Sequence, residues 1–316
     1  MDRRAFLSTL AASAAAPLSG KEKVWEGIFI IMQTPFLNDL SLDEASLRRQ
    51  CDFLVKCGAH GVVWPAGAGE SVSLSKEERM QHSKTVVNEV KGRTTVLIGV
   101  HGANKFEAME YARYAEKIGA DGLQALGPTS GITDAEYLTD YFTAIASASQ
   151  LPMCIQVTNG GMTTDLLLKL ADKLPSVKIL KLENGDIPRD VARVVRERKR
   201  PLIASTGGGA AYFYTEMERG SGGTMSGAGL ADIQAEIWDL YKAGKKKESR
   251  DLFLKFLPSA LLERRTTYVL QKEILRRRGV FTTTRMRSTA RFNMDAADLR
   301  ELDEIMESLK PHFRVA

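Results

Sequence analysis

The stretch Pro175–Asp186, PSVKILKLENGD, holds the residues most able to do chemistry. It reads as one short buried strand, Val177–Leu182, stopped by Asn184-Gly185. Lys181 sits near its C-terminal end between Leu180 and Leu182. A lysine inside an apolar strand is costly unless it has a partner or a task. Desolvation lowers the pKa of a lysine, and a neutral amine is a nucleophile toward ketones. Glu183 lies two residues on, so its side chain leaves the strand on the same side as that of Lys181. A carboxylate and an amine are thereby expected at one strand end. The plain alternative is an edge-strand lysine with its ammonium in water.

Such a strand needs a scaffold, and the rest of the chain supplies one. Strand-like and helix-like segments alternate. The strands read as Gly27–Gln33, Gly61–Trp64, Thr95–Val100, Gly122–Leu126, Pro152–Val157, Val177–Leu182, Pro201–Ser205 and Gly223–Ser226. Helical spacing fills the intervals. Ser75-Lys76-Glu77-Glu78 opens one helix as a capping box, and Ala210–Arg219 and Ala231–Ala243 read as the last two. Eight strand–helix units imply a parallel sheet with right-handed crossovers. Eight is the number that closes a (β/α)8 TIM barrel, an α/β fold; an open doubly wound sheet is the alternative. Residues 21–244 are read as the barrel and 245–316 as a C-terminal helical region.

Composition narrows the function. The chain has 316 residues, 44% hydrophobic and 26% charged, with a net charge of +5. The basic residues are scattered, with short runs at Lys245–Lys247 and Arg276–Arg278 that read as solvated helix ends. No basic stripe interleaves with aromatics, so nucleic acid is not an expected partner. Three cysteines, Cys51, Cys57 and Cys154, make no disulfide framework, and no Cys/His cluster points to a metal. Gly67-Ala68-Gly69 is too short for a dinucleotide loop, and no phosphate-binding GxxxxGK[ST] occurs.

The N-terminus differs in kind. Arg3-Arg4-Ala5-Phe6-Leu7 precedes an Ala-rich apolar run to Ala16, then Pro17 and Gly20. This describes an export signal over residues 1–20, of the twin-arginine class. The expected location is periplasmic, with a cytoplasmic protein as the alternative. The run is too short to span a bilayer, and no other stretch is long enough.

In a TIM barrel, chemistry sits at the C-terminal ends of the strands. Here those ends carry Thr34-Pro35-Phe36, then Ala66-Gly67-Ala68-Gly69-Glu70-Ser71, His101-Gly102 and Gly127-Pro128-Thr129-Ser130. Lys181 and Glu183 follow, then Thr206-Gly207-Gly208-Gly209 and Ser226-Gly227. The Gly67–Gly69 turn can turn backbone amides toward an anion, and Gly207–Gly209 is read as opening a helix N-terminus. One lysine, small hydroxyls and glycine loops suit a small 2-oxo acid, with an imine at Lys181 and the carboxylate on amides. Each glycine turn is also explained by βα geometry alone.

The chain resembles the dihydrodipicolinate synthase / N-acetylneuraminate lyase family. Thr34-Pro35-Phe36, Gly69-Glu70-Ser71 running through Leu74 to Glu77-Glu78, Lys181 followed by Gly185-Asp186, and Gly223–Gly227 carry the resemblance, in family order. The resemblance implies a TIM barrel, usually a homotetramer, with no metal or organic cofactor. It implies that Lys181 forms a Schiff base with pyruvate or another 2-oxo acid, for aldol cleavage, condensation or dehydration. Three departures stand out. Gly67-Ala68 replaces two hydroxyl residues. Thr129-Ser130 replaces a proton-relaying tyrosine after Pro128. Asn159-Gly160-Gly161 replaces an arginine of the synthases. These departures count against lysine biosynthesis and leave the substrate open, with a sugar-derived 2-oxo acid among the candidates. Ser130, Thr129 or His101 is expected to carry the proton; among these, only histidine ordinarily titrates near neutrality. Thr34, Gly67, Ala68, Gly69, Glu70, Thr129, Gly207, Gly208 and Ser226 are expected to bind substrate. The other class of function is a catalytically inactive barrel that binds an oxo acid or sugar acid.

Overall fold

The computed structural model describes residues 23–157, 161–288 and 293–315. The export signal expected over residues 1–20 lies outside them, as do Asn159 and Gly160.

Eight parallel strands close into a barrel in chain order. They are β1 (Gly27–Ile31), β2 (Gly61–Trp64), β3 (Thr95–Gly99), β4 (Gly122–Ala125), β5 (Met153–Gln156), β6 (Val177–Leu182), β7 (Ile203–Thr206) and β8 (Gly223–Thr224). The helices between them are α1 (Glu44–Lys56), α2 (Lys76–Val90), α3 (Lys105–Lys117), α4 (Ala135–Ser147), α5 (Thr164–Lys173), α6 (Ile187–Glu197) and α7 (Phe213–Met217). After β8 come α8 (Ala231–Lys242), α9 (Lys246–Thr266), α10 (Tyr268–Arg277) and α11 (Ala296–Leu309). The eight strands and most helices fall where the periodicity predicts; β2 and β6 match end to end, and other ends shift by at most three residues. The Ser75 capping box forms: the Ser75 hydroxyl accepts from the Glu78 amide at 3.1 Å, and the Glu78 carboxylate accepts from the Ser75 amide at 2.9 Å.

The helix expected over Ala210–Arg219 does not begin where predicted. Gly208, Gly209 and Ala210 have φ of +58°, +68° and +59°, so the chain turns left-handed and α7 starts only at Phe213. Gly207–Gly209 therefore opens no helix N-terminus, and the expectation of an anion site there is corrected.

The period-2 alternation sorts each strand into an outer and an inner face. Leu180 and Leu182 of β6 join the core between barrel and helices, whereas Ile179 joins Phe29, Val63, Leu97, Cys154 and Met225 inside the barrel; Val177 departs from the alternation and joins the outer core, where the β5–β6 register shifts. Lys181 shares the inner face with Ile179, one step nearer the C-terminal rim.

Two buried ion pairs fasten the C-terminal helices to the barrel. Lys272 on α10 donates to Glu70 at 2.5 Å, with both side chains at or below 1% exposure. Arg278 grips Asp232 at 2.9 and 2.6 Å and stacks over Phe53 and Phe313. Breaking one such pair leaves a buried charge uncompensated.

Candidate active site

At the C-terminal rim of the barrel a cavity of about 390 Å³ opens above the inner face. Lys181 is 3% exposed, and its Nζ lies 3.2 Å from Glu183 Oε1. The alternation argument for these two residues thus holds in the structure. The plain alternative, a lysine with its ammonium in bulk water, does not fit a side chain so buried.

A chain of hydrogen bonds fixes Glu183. Gln124 Nε2 on β4 donates to Gln156 Oε1 on β5 at 2.7 Å, and Gln156 Nε2 donates to Glu183 Oε2. The amide of Gly208 donates to Glu183 Oε1 at 3.3 Å. Gly207 makes this packing possible: a Cβ there would stand 1.9 Å from Glu183 Oε1 and 2.8 Å from Lys181 Cε.

Of the residues expected at the site, Gly67, Ala68, Gly208 and Ser226 line the cavity together with Lys181. Gly67–Gly69 forms a 3-10 turn in which Gly69 and Glu70 donate to Ala66 and Gly67 at 2.9 and 3.0 Å. The amides of Gly67 and Ala68 precede the first bond of that turn and are not spent within it. Gly207 packs directly behind Lys181. Thr34 is buried and does not line the cavity; its hydroxyl donates to the Gly69 carbonyl at 2.5 Å and receives Trp64 Nε1–H at 3.1 Å, so it braces the turn. Gly69 closes the turn, and the space where its Cβ would stand is filled by the Met32 carbonyl.

Four expectations are corrected. Glu70 does not face the cavity: besides Lys272 it receives the amides of Arg287 and Ser288 at 3.0 and 2.9 Å, so it is a structural anchor. Thr129 and Ser130 are exposed and lie outside the cavity lining, because the chain after Pro128 turns outward through a Gly131-to-Pro128 bond. His101 does not titrate near neutrality. It is 2% exposed, its Nε2 is 2.8 Å from Ser71 Oγ, and burial, helped by the Arg79 charge, drives its ring down to about 3. It also lies outside the cavity lining.

The sequence reading missed the far wall. Glu263, Arg264, Thr267 and Tyr268, from the α9–α10 junction, line the same cavity. Burial raises the Glu263 carboxyl to about 7, and Gln271 Nε2 donates to its Oε2 at 2.8 Å.

Comparison with known proteins places this site in a family. The sequence model of the dihydrodipicolinate synthetase family matches residues 24–309. The chain belongs to that family. The family resemblance drawn from Thr34-Pro35-Phe36, Gly69-Glu70-Ser71 and Lys181 is thereby borne out, and the chain is a lyase of the dihydrodipicolinate synthetase family. It is 30% identical over 240 residues to the 4-hydroxy-tetrahydrodipicolinate synthase of Methanopyrus kandleri, across 74% of this chain and 79% of that one. It is 29% identical over 238 residues to an uncharacterised DapA-like lyase of Thermococcus kodakarensis, across 72% and 78%. Its fold matches crystal structures of family members. The dihydrodipicolinate synthase of Rhodopseudomonas palustris superposes with a TM-score of 0.82 at 24% identity, covering 91% of this chain and 99% of that one. A prophage protein of the same family from E. coli K12, in complex with pyruvate, does so with 0.83 at 22%, covering 91% and 99%. At those identities the structures establish the TIM barrel.

Proposed function

We propose that this protein is a Schiff-base-forming lyase, of aldolase or dehydratase type, acting through Lys181 on pyruvate or a sugar-derived 2-oxo acid. The observation that carries the reading is an amine almost fully buried inside the barrel, held beside a carboxylate, at the edge of a cavity sized for a small acid. The Glu183 carboxylate, 3.2 Å away, holds the Lys181 nitrogen at the cavity edge, and the amine reacts in its neutral form. The amine adds to the 2-oxo carbon, and loss of water leaves the iminium. The iminium draws electrons from the neighbouring carbon, which lets a C–C or C–O bond break. The unspent amides of Gly67 and Ala68 offer donors for the substrate carboxylate in place of hydroxyl side chains. The relatives named as synthase or lyase support an active enzyme, and no feature of the cavity favours an inactive binder.

The test is reduction with borohydride in the presence of pyruvate. Wild-type protein gains the mass of a reduced pyruvyl adduct, and Lys181→Ala gains none. Equal labelling of both would refute the assignment. A homotetramer is the assembly expected of the family, and light scattering on the purified chain checks it.

A further inference from the structure

The Schiff-base reading leaves one requirement open. Making and breaking bonds next to the iminium moves a proton between solvent-shielded substrate atoms and the protein, so a group at the cavity must take and return it. Thr129, Ser130 and His101 do not line the cavity. Glu183 does, but it is committed to Lys181, Gln156 and the Gly208 amide.

Resting on that reading, we propose that Glu263, supplied by the C-terminal helices and not by a barrel strand, is the catalytic acid–base of the Lys181 site. Four observations converge. Glu263 lines the cavity with Lys181, close enough for the Lys181 charge to act on its carboxyl. Among the described residues only its Oε2 is engaged, by Gln271, whose own Oε1 receives the Gly229 amide at 2.7 Å. The carboxyl is thus aimed while one oxygen remains available. The Gly207–Gly209 turn touches both groups: a Cβ on Gly207 would meet Lys181, and one on Gly209 would stand 3.1 Å from Glu263 Oε2. The junction that presents this wall is strained, because Thr267 has φ +53° and ψ −133°, an outlier for a β-branched residue. Strain of that kind collects where a structure over-determines a functional wall.

The step balances as follows. With an iminium between Lys181 and a 4-hydroxy-2-oxo acid, the Glu263 carboxylate removes the hydroxyl proton at C4. The C3–C4 bond breaks, its electron pair enters the iminium to give an enamine, and an aldehyde leaves. Protonated Glu263 then delivers its proton to C3, which restores the iminium of the shorter acid. Water releases that acid and returns the Lys181 amine. Condensation runs the same steps in reverse. Tyr268 shares the wall, but burial raises its phenol above the ordinary range, so it keeps its proton and does not serve as the base.

Pyruvate alone tests the proposal, because enamine formation exchanges its C3 hydrogens with D2O. Exchange is followed by NMR and normalised to the imine trapped by borohydride. Glu263→Gln is expected to trap pyruvate like wild type, which also shows that it is folded, while exchange falls by about 10²- to 10⁴-fold. In wild type, exchange per imine is expected to rise with pH through about 7, the Glu263 carboxyl facing Lys181 and Glu183 of the barrel and Arg264, Tyr268 and Gln271 of its own wall. Absence of trapping in wild type overturns the Schiff-base reading and the proposal with it. Trapping with undiminished exchange in Glu263→Gln, or a flat wild-type profile between pH 5.5 and 8.5, overturns the proposal alone.

Discussion

Replacing Gly207 by alanine probes the packing behind Lys181. The added Cβ would stand 1.9 Å from Glu183 Oε1, and real Cβ contacts do not fall below 3.0 Å. The carboxylate must therefore retreat by about 1.1 Å (3.0 less 1.9). That shift stretches the 3.3 Å Gly208 amide bond past hydrogen-bond reach and draws Glu183 off Lys181 and Gln156. Glu183 stands at the wet edge of the cavity and can turn toward water, which replaces most of the lost bonds, so the net stability cost is about 1.5–3 kcal/mol. The chemical cost is larger, because a reacting group displaced by about 1 Å loses about 10²-fold in rate. The assay is the rate of borohydride-trapped adduct formation with pyruvate, read by intact mass beside a thermal melt. Gly207→Ala is expected to trap about 100-fold more slowly while remaining folded at 25 °C. A folded variant that traps within about threefold of wild type would show that the place of Glu183 does not govern Lys181.

Three further perturbations test other parts of the structure. Lys272→Met leaves Glu70 buried without its cation and is expected to cost about 3–5 kcal/mol, a melting-temperature drop of roughly 5–8 °C; Glu70→Gln added to it should recover more than half, and a single-variant shift under about 2 °C would contradict the pairing. Burial raises the Glu216 carboxyl from 4.5 to about 7, with Thr206 Oγ1 donating to it at 2.6 Å. The folded state thus holds this proton more tightly than the unfolded chain, so the contribution is complete below about pH 4.5 and is lost as pH rises through about 7. Glu216→Gln should come within about 1 kcal/mol of wild type at pH 5 and exceed it by about 3 kcal/mol at pH 8.5 in denaturant titrations; an equal gap at both pH values would contradict the shift. We also propose that Arg3-Arg4 directs export: replacing both with lysine should hold the precursor in the cytoplasm, and unchanged fractionation would remove the twin-arginine reading.

The parts of this protein that follow from local periodicity were legible before the structure. Lys181 and Glu183 share a face because side chains alternate, and Ser75 caps α2 because its spacing to Glu78 lets two bonds close. What local pattern cannot carry is distance in space. Glu70 looked like a ligand at a strand end, but its partner Lys272 lies 202 residues away. The residue type of His101 points to titration near neutrality, and burial, which depends on everything packed around it, removes that property. Gly208–Ala210 looked like a helix start, since nothing in Gly-Gly-Ala announces three left-handed residues. Glu263 sits in an ordinary amphipathic stretch of α9, where only the fold of α9 and α10 over the rim turns it toward Lys181. One signal was available: the loss of the usual relay tyrosine meant that a replacement had to come from somewhere.

A ribosome making this chain completes all eight strands before it reaches Glu263. By Gly244 the lysine, its neighbouring carboxylate and the amides of Gly67 and Ala68 are already in the polypeptide, yet one wall of the cavity has not been synthesised. Any product that stops between Gly244 and Glu263 has a full set of strands, a nucleophile and no α9–α10 wall. The order of synthesis thereby leaves the cavity open on one side until the C-terminal helices are made, and Lys272 and Arg278, made later still, are the fastenings that hold the last wall in place.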